Sequence, residues 1–138
     1  VCGKQDFVAR ARKYRKMLGG GMRQAGVVAA AGIVALDEMV ERLETDHRRA
    51  RRIAEALADL PGVCIDLDTV QTNLIIFTIP NYATTAIPLT DALKREGVRI
   101  GQIGDDRYRM VTHVGITDSD IDAVLKVLGK VWQALPVC

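Results

Sequence analysis

The sequence predicts an α/β protein, with helices in its first 60 residues and a small mixed domain after them. Three observations lead to this prediction. Apolar residues recur every three or four positions as far as Leu60, which is the period of an α-helix. After Pro61 and Gly62, short apolar runs alternate with helix-like segments, as in an open-sheet α/β sandwich. Residues 74–77 are apolar in succession, and this predicts a strand that is buried on both faces.

Length and composition exclude several classes of protein. The chain has 138 residues, of which 49% are hydrophobic and 26% charged, and this is typical of one globular domain. No apolar run reaches the roughly 20 residues that cross a bilayer. A net charge of +2 and only 4% aromatic residues make no case for nucleic-acid binding. Cys2, Cys64 and Cys138 lack metal-ligand spacing and indicate reduced thiols of a cytoplasmic protein.

Residues 4–23 are predicted to form a short basic helix that ends in a glycine turn. They include seven basic residues and one acidic residue, Asp6, which is the predicted N-cap. Gly19 is the predicted stop, and Gly20 and Gly21 extend the break. Composition alone favours a solvated basic helix face. Glycine-rich turns that lead into helices also bind phosphates, although three glycines are a weak signal by themselves.

Residues 22–36 are small and apolar, and this predicts a second, buried helix. Arg23 falls in its first turn, where the helix dipole disfavours a cation by up to about 1 kcal/mol, so we expect an anionic partner. Residues 37–60 are predicted to continue as a third helix after a kink, until Pro61 and Gly62 end it. His47 lies on the apolar stripe of this helix and is interpreted as a packed structural residue.

The second half of the chain is predicted to alternate strands and helices. Gly97 is expected to close one helix, and Asp118 to cap the last one. A turn at residues 104–106 is expected to join the last two strands. The predicted strands are 63–67, 71–79, 98–100 and 108–111, and the predicted helices are 88–96 and 118–135.

Arg109 is the residue of this half with the clearest chemical interest, because it stands in a short strand where apolar residues are expected. Directed inward, it must meet a carboxylate or a phosphate, since unpaired burial of a charge is costly. Directed outward, it is an ordinary solvated arginine, and the strand pattern leaves both possibilities open. His113 is equally open between a loop-capping residue and a site residue. No hydrolase triad, zinc motif, Cys-x-x-Cys or complete phosphate-binding loop occurs in the sequence.

Four stretches carry a resemblance to a known family. Residues 16–26, with the sequence KMLGGGMRQAG, are followed by an alanine-rich helix. Residues 44–47, 71–73 and 109–113 come later in the same order as in that family. The chain resembles the low-specificity L-threonine aldolases, which are pyridoxal-phosphate enzymes with the aspartate aminotransferase fold.

The resemblance implies the C-terminal part of such a type I fold. Residues 1–36 would end the large cofactor-binding domain, and residues 37–62 would form a long linking helix. Residues 63–138 would form the small α/β domain, a short and mostly antiparallel sheet covered by helices. The cofactor lysine of the family lies in a Ser-x-x-Lys-Gly stretch, which would precede Val1. We therefore expect no catalytic residue in this chain, and we expect the fragment to be inactive alone.

The resemblance also implies a reaction and roles for particular residues. The reaction is the cleavage of a β-hydroxy-α-amino acid such as threonine to glycine and an aldehyde, with pyridoxal 5'-phosphate as electron sink. Arg23 matches an arginine beside the cofactor phosphate that reaches a neighbouring subunit's site, and Lys16 a lysine lining that site. Arg109 matches the arginine that holds the substrate carboxylate. Thr112 and His113 would support its strand. The implied assembly is a homotetramer, a dimer of dimers with shared sites.

Two alternatives remain open. A related β-eliminating lyase or amino-acid racemase of the same fold would use Arg23 and Arg109 similarly. A non-enzymatic α/β module would bind an acidic partner through its basic first helix, with Arg109 exposed and residues 19–21 as a plain linker.

The second helix also carries an expectation about burial. The 138 residues offer too little partner surface to cover it, and uncovered apolar surface marks an interface or further chain. We expect Val27, Val28, Ile33 and Val34 to stay exposed in this chain.

Overall fold

The computed structural model describes residues 1–80 and 88–134. The chain divides into two compact units, Val1–Val40 and Glu41–Cys138. Within the described residues, the first unit has two helices and the second has three helices and three strands. The helices are α1 (Gln5–Met17), α2 (Gly26–Glu38), α3 (Leu43–Ala58), α4 (Leu89–Arg95) and α5 (Asp118–Ala134), and the strands are β1 (Leu74–Thr78), β2 (Gly101–Gln102) and β3 (Arg107–Val111).

Helix α1 ends in a hydrogen-bonded glycine cap. The N–H of Gly19 donates to the carbonyl of Lys16 at 3.2 Å, and that of Gly20 donates to the carbonyl of Arg15 at 2.8 Å. This pair of bonds defines a Schellman motif, which needs a left-handed residue, and Gly19 supplies it with a φ of 78°. The predicted stop is therefore confirmed. Asp6 lies within the first turn, so its prediction as the N-cap is wrong.

Helix α2 begins later than its apolar composition predicts. Residues 23–25 form a turn in which Gln24 has a left-handed φ of 50°, a conformation that cannot continue into a helix. The first helical residue is Gly26, so Arg23 precedes the helix instead of lying in its first turn. The prediction for Arg23 within the helix is corrected accordingly.

The exposure of α2 confirms one expectation and overturns another. No residue of α2 is buried, although the composition predicts a buried helix. Val27, Val28, Ile33 and Val34 are 46% to 79% exposed, as the lack of partner surface predicts.

Helix α3 is separate from α2 and shorter than the predicted third helix. Helix α2 ends at Glu38, and α3 runs from Leu43 to Ala58, so the two do not form one kinked helix. The buried face of α3 carries the apolar residues that the 3.6-residue period predicts, but its buried polar residue is Asp46. His47 is half-buried.

The sheet has the order β1-β3-β2, and both pairings are antiparallel. On its inner face Ile75 pairs with Met110, and Phe77 pairs with Tyr108, with the two aromatic rings stacked at 5.5 Å. These residues belong to the core that also contains the apolar faces of α3, α4 and α5. The outer face is open, and Leu74 on it is 43% exposed. The predicted burial of residues 74–77 on both faces is therefore wrong.

Two predicted strands are reduced or shifted. Residues 63–67 make only one bridge, between Cys64 and Thr78, since a short 3-10 turn at Leu67–Thr69 follows at once. Residues 98–100 are not a strand, and β2 begins at Gly101 instead. Helix α4 and its closure by Gly97 are confirmed, and Gly97 has a φ of 87°.

Helix α5 is capped by Thr117 instead of the predicted Asp118. The Thr117 hydroxyl accepts the N–H of Asp120 at 3.2 Å, and the Asp120 carboxylate accepts the N–H of Thr117 at 2.8 Å. This reciprocal pair is a capping box. The last predicted residue of the helix, Leu135, lies outside the described residues.

Asp118 instead joins α5 to α3 through Arg49. The guanidinium donates to both carboxylate oxygens, from Nε at 3.0 Å and from Nη2 at 2.9 Å, and also to the carbonyl of Ile116 at 2.6 Å. The hydrogen bond from Arg49 lowers the pKa of Asp118 and raises the pKa of the arginine. Together, these three hydrogen bonds from Arg49 fix the start of α5 against α3.

This contact predicts an acid-sensitive contribution to stability. A carboxyl group with a lowered folded-state pKa stabilises the fold above its unfolded pKa of about 3.9 and loses that effect as the pH falls through the folded value. We expect Asp118→Asn to lower the free energy of unfolding at pH 7, and the difference from the unsubstituted chain to shrink towards about pH 2. Urea titrations followed by the fluorescence of the single tryptophan, Trp132, measure it.

Asp59→Asn is the matched control, because Asp59 is exposed and makes no ion pair with a described residue. A loss of stability in Asp118→Asn that is the same at both pH values would contradict the role of the charge.

Candidate functional site

Three of the four stretches that carry the family resemblance meet at one hydrogen-bonded network in the second unit. The hydroxyl of Thr112 donates to the backbone carbonyl of Asp46 on α3 at 2.7 Å. The Asn73 amide donates to the carbonyl of Thr112 at 2.8 Å, and the N–H of Thr112 donates to the carbonyl of Asn73 at 3.0 Å. Thr112 is 1% exposed, so these bonds lie away from water. They fix the end of β3 to α3 and to the start of β1.

The carboxylate of Asp46 pairs with Arg42, the residue that directly precedes α3. It is 3% exposed and accepts two bonds from Arg42, at 3.0 Å from Nη1 and 2.8 Å from Nη2. A two-pronged pair of this kind compensates the cost of burying the charge. Sequence reasoning had assigned Thr112 a supporting role but had not identified Asp46 or Arg42.

Arg109 lies on the open outer face of the sheet, three residues before Thr112. It faces Ile76 of β1 on one side and Gly101 of β2 on the other. Its side chain is exposed and makes no hydrogen bond or ion pair with any residue in 1–80 or 88–134. The structure thus decides between the two orientations that the sequence left open, and it places Arg109 outward.

The charge on β3 contrasts with that on α3. Arg107 shares the outer face with Arg109, and it too has no ion pair within the described part of the chain. Five arginines in or beside α3 each pair with a carboxylate. These are Arg42, Arg48, Arg49, Arg51 and Arg52. The outer face of β3 is therefore a local excess of positive charge, suited to an anionic ligand.

A groove of about 540 Å³ runs along the same face of the sheet. Ile76, the cross-strand neighbour of Arg109, lines it together with Arg107, Thr78 and Asp66. The groove gives a small polar ligand room beside Arg107, and Arg109 is not among the residues that line it.

The glycine turn of the first unit presents two further cations. Lys16 and Arg23 are exposed, and neither pairs with an acidic residue within 1–80 or 88–134. The side chain of Lys16 lies over Gly21, where an added Cβ would be 3.0 Å from Nζ. At Gly20 an added Cβ would be 3.1 Å from the carbonyl oxygen of Arg15. The contact at Gly20 belongs to the hydrogen-bonded cap of α1, and the contact at Gly21 is with the end of a flexible side chain.

This turn fits an anion such as a phosphate group. Helix α2 begins at Gly26, after a further turn at residues 23–25, and it has no acidic residue in its first turn, so its positive end is not neutralised from within the helix. Lys16 and Arg23 lie before it in sequence and add two positive charges.

Both histidines of the chain, His47 and His113, lie in the second unit. The Nδ1 atom of His113 accepts the N–H of Gly115 at 3.1 Å, so this residue closes a loop, one of the two roles that the sequence left open. His47 is half-buried on α3. Among the described residues no three His, Cys, Asp or Glu side chains are grouped as metal ligands, and no helix is long and apolar enough to cross a membrane.

Comparison with known families shows the family to which the chain belongs. The family model for beta-eliminating lyases matches residues 1–80, which is more than half of the chain. The chain belongs to the beta-eliminating lyase family. This family of lyases depends on pyridoxal phosphate. The matched residues include the glycine turn with Lys16 and Arg23, and they end before Arg109.

Individual relatives extend this similarity to both units. The chain is 37% identical over 126 residues to low-specificity L-threonine aldolase 1 of Arabidopsis thaliana, covering 91% of this chain and 35% of that protein. It is 38% identical over 135 residues to the probable low-specificity L-threonine aldolase 2 of the same plant, covering 97% and 38%. For the low specificity L-threonine aldolase of Escherichia coli K12 the values are 35% over 124 residues, 90% and 35%. This lyase-family chain thus spans about a third of the length of the curated relatives it matches.

Gly101 is a residue of this face that sequence reasoning missed. The turn predicted at residues 104–106 centres the hairpin on Asp105, and residues equally distant from that centre pair in a regular hairpin. Counting four residues each way pairs Gly101 with Arg109, as the structure has it. The register was therefore available from the predicted turn.

We expect the hydrogen-bonded network around Thr112 to contribute measurably to the free energy of unfolding. Thr112→Val keeps the volume of the side chain and removes the hydroxyl that binds the carbonyl of Asp46, so we expect a loss of about 1 kcal/mol in the free energy of unfolding. Thr78→Val is the control, since its hydroxyl makes only a 3.4 Å contact with the carbonyl of Cys64. Urea unfolding followed by Trp132 fluorescence measures both. Equal stability of the two variants would contradict the role of the network.

Proposed function

We propose that this chain serves a pyridoxal-phosphate-dependent aldolase that cleaves threonine and related β-hydroxy-α-amino acids to glycine and an aldehyde. In this proposal the chain supplies the end of the large domain, the helix that leads out of it and the small domain of a type I fold. The observation that supports it best is that Arg109 lies on an open sheet face with no partner among the described residues, in a chain that resembles threonine aldolases in both units.

Arg109 binds the α-carboxylate of the substrate. Its guanidinium offers a planar pair of donors that matches the two oxygens of a carboxylate and fixes the orientation of the amino acid. Cross-strand pairing with Ile76 and the bonds of Thr112 hold β3, and with it the base of the Arg109 side chain. Fixing the substrate in one orientation lowers the entropic cost of the reaction.

Arg23 and Lys16 hold the phosphate group of the cofactor. The bound pyridoxal phosphate supplies the sink for the electron pair left on Cα when the Cα–Cβ bond breaks. Arg23 donates to the phosphate oxygens, and Lys16 adds a second positive charge beside Gly21.

The assembly we propose is a homotetramer, built as a dimer of dimers. The exposed apolar side chains of α2 suit a subunit or domain interface, since a free surface seldom carries so many together. Arg23 would then reach the cofactor of a neighbouring subunit.

A second candidate is β-elimination, the activity after which the matching family is described. The two reactions differ in their products, because an aldolase releases glycine and an aldehyde, whereas an eliminating lyase releases ammonia and an oxo acid. An assay of the full-length protein with threonine and with serine decides between them. Release of acetaldehyde and glycine from threonine supports the aldolase, and ammonia alone overturns it.

The first prediction concerns substrate binding in the full-length protein. Arg109→Ala removes a charge-assisted bond worth about 1.5–3 kcal/mol, so we expect kcat/KM for threonine to fall roughly 10- to 150-fold. Steady-state assays of aldehyde release measure it. Arg95→Ala is the control, since it removes the same charge from an exposed position on α4 instead of β3. An unchanged kcat/KM in Arg109→Ala, or an equal loss in both variants, would show that Arg109 has no specific role.

The second prediction concerns cofactor retention. We expect Arg23→Ala in the full-length protein to weaken pyridoxal phosphate binding by on the order of tenfold, while KM for threonine changes less. Absorbance of the protein after dialysis measures the retained cofactor. Arg10→Ala on the exposed side of α1 is the control and should retain it fully. Full retention by Arg23→Ala would assign the turn no phosphate role.

A further inference from the structure

Gly101 is the residue that directly faces Arg109 across the β2–β3 pair. Directly opposed residues of antiparallel strands project their side chains from the same face, with Cβ atoms about 4.5–5.5 Å apart. A side chain at position 101 would therefore stand beside the stem of Arg109. Glycine leaves that space empty.

The backbone does not need a glycine at this position. Gly101 is not among the glycines with a positive φ, which are Gly19, Gly62 and Gly97. Within residues 1–80 and 88–134, an added Cβ would meet only the carbonyl oxygen of Arg109, at 3.7 Å, which is an ordinary van der Waals distance. Glycine is otherwise unfavourable within a strand, because it loses more conformational freedom and packs nothing. Neither strain nor crowding explains its presence.

The surroundings of Arg109 are asymmetric as a result. Ile76 occupies the β1 side of the arginine, while the β2 side is open. Two residues along from Gly101, Ile103 donates its N–H to the carbonyl of Arg107 at 2.9 Å. Along this edge, the residue beside Arg107 thus carries a large side chain, and the residue beside Arg109 carries none.

We propose that the missing side chain of Gly101 is the opening through which the carboxylate of an α-amino acid reaches the guanidinium of Arg109. This inference rests on the proposed function, because it takes the carboxylate role of Arg109 as given. Gly101 acts as a positioning residue that leaves both donors of the arginine accessible. It selects for the carboxylate end of the substrate, which all α-amino acids share, and not for the side chain.

The test compares Gly101→Ala and Gly101→Val in the full-length protein with threonine and with the larger β-phenylserine. We expect KM to rise with the size of the new side chain, about threefold for alanine and on the order of tenfold for valine, by the same factor for both substrates. We expect the midpoint of urea unfolding to stay equal or rise, since both residues suit a strand better than glycine does. A merely structural glycine would instead lose stability on substitution.

Gly129→Ala is the matched control, because an added Cβ there meets no atom of the described residues within 4 Å, and its KM should be unchanged. An unchanged KM in both Gly101 variants overturns the inference, as does a rise in KM that is larger for β-phenylserine than for threonine. The Arg109→Ala variant distinguishes a failure of the inference about Gly101 from a failure of the proposed function. If it lowers kcat/KM while the Gly101 variants do not, the opening alone is refuted, and if it has no effect, the proposed function fails first.

Discussion

The hydrogen bond from the buried hydroxyl of Thr112 to the carbonyl of Asp46 is the contact on which the arrangement of the second unit depends. It crosses 66 positions of sequence and joins the end of β3 to the first turn of α3. Asn73 completes it from the start of β1 with two further bonds. Because buried polar groups are costly unless satisfied, few other registers of β3 would be stable. The outward position of Arg109 follows from that register.

The distribution of charge separates structural arginines from available ones. On α3, Arg49 and Arg52 pair with carboxylates of α5, and Arg51 pairs with Glu55 within the helix. These pairs hold elements together, and their charges are compensated locally. Arg109 has no such partner within the described residues, although its strand pairs with β1 on one side and with β2 on the other. An arginine whose backbone is held by strand pairing, and whose guanidinium charge is not balanced by a neighbouring carboxylate, is suited to bind an anion.

Periodicity was enough to predict the helices of the second unit, because α3, α4 and α5 each bury one apolar face. It could not locate the boundaries, which depend on local bonds such as the capping box of Thr117. The strand predicted at 63–67 failed because its only ladder contact is the bridge from Cys64 to Thr78. Burial of β1 was overestimated because an apolar run gives no information about whether a second layer covers the sheet.

The candidate site, too, could be predicted only in part from the sequence. Lys16, Arg23 and Arg109 could be selected from the sequence because their motifs resemble a known family. The face on which Arg109 lies could not, since it depends on pairing with Ile76 across 33 positions of sequence. The pair of Arg42 and the buried Asp46 has the spacing of an ordinary surface ion pair, so the sequence gives no sign that Asp46 is buried.

The carboxylate role proposed for Arg109 can be tested in a crystal structure of the full-length protein with threonine or glycine bound. We expect both carboxylate oxygens within hydrogen-bonding distance of the Arg109 guanidinium, on the sheet face that carries Ile76 and beside Gly101. A carboxylate held by other residues, with Arg109 paired to an acidic side chain of the protein, would contradict it.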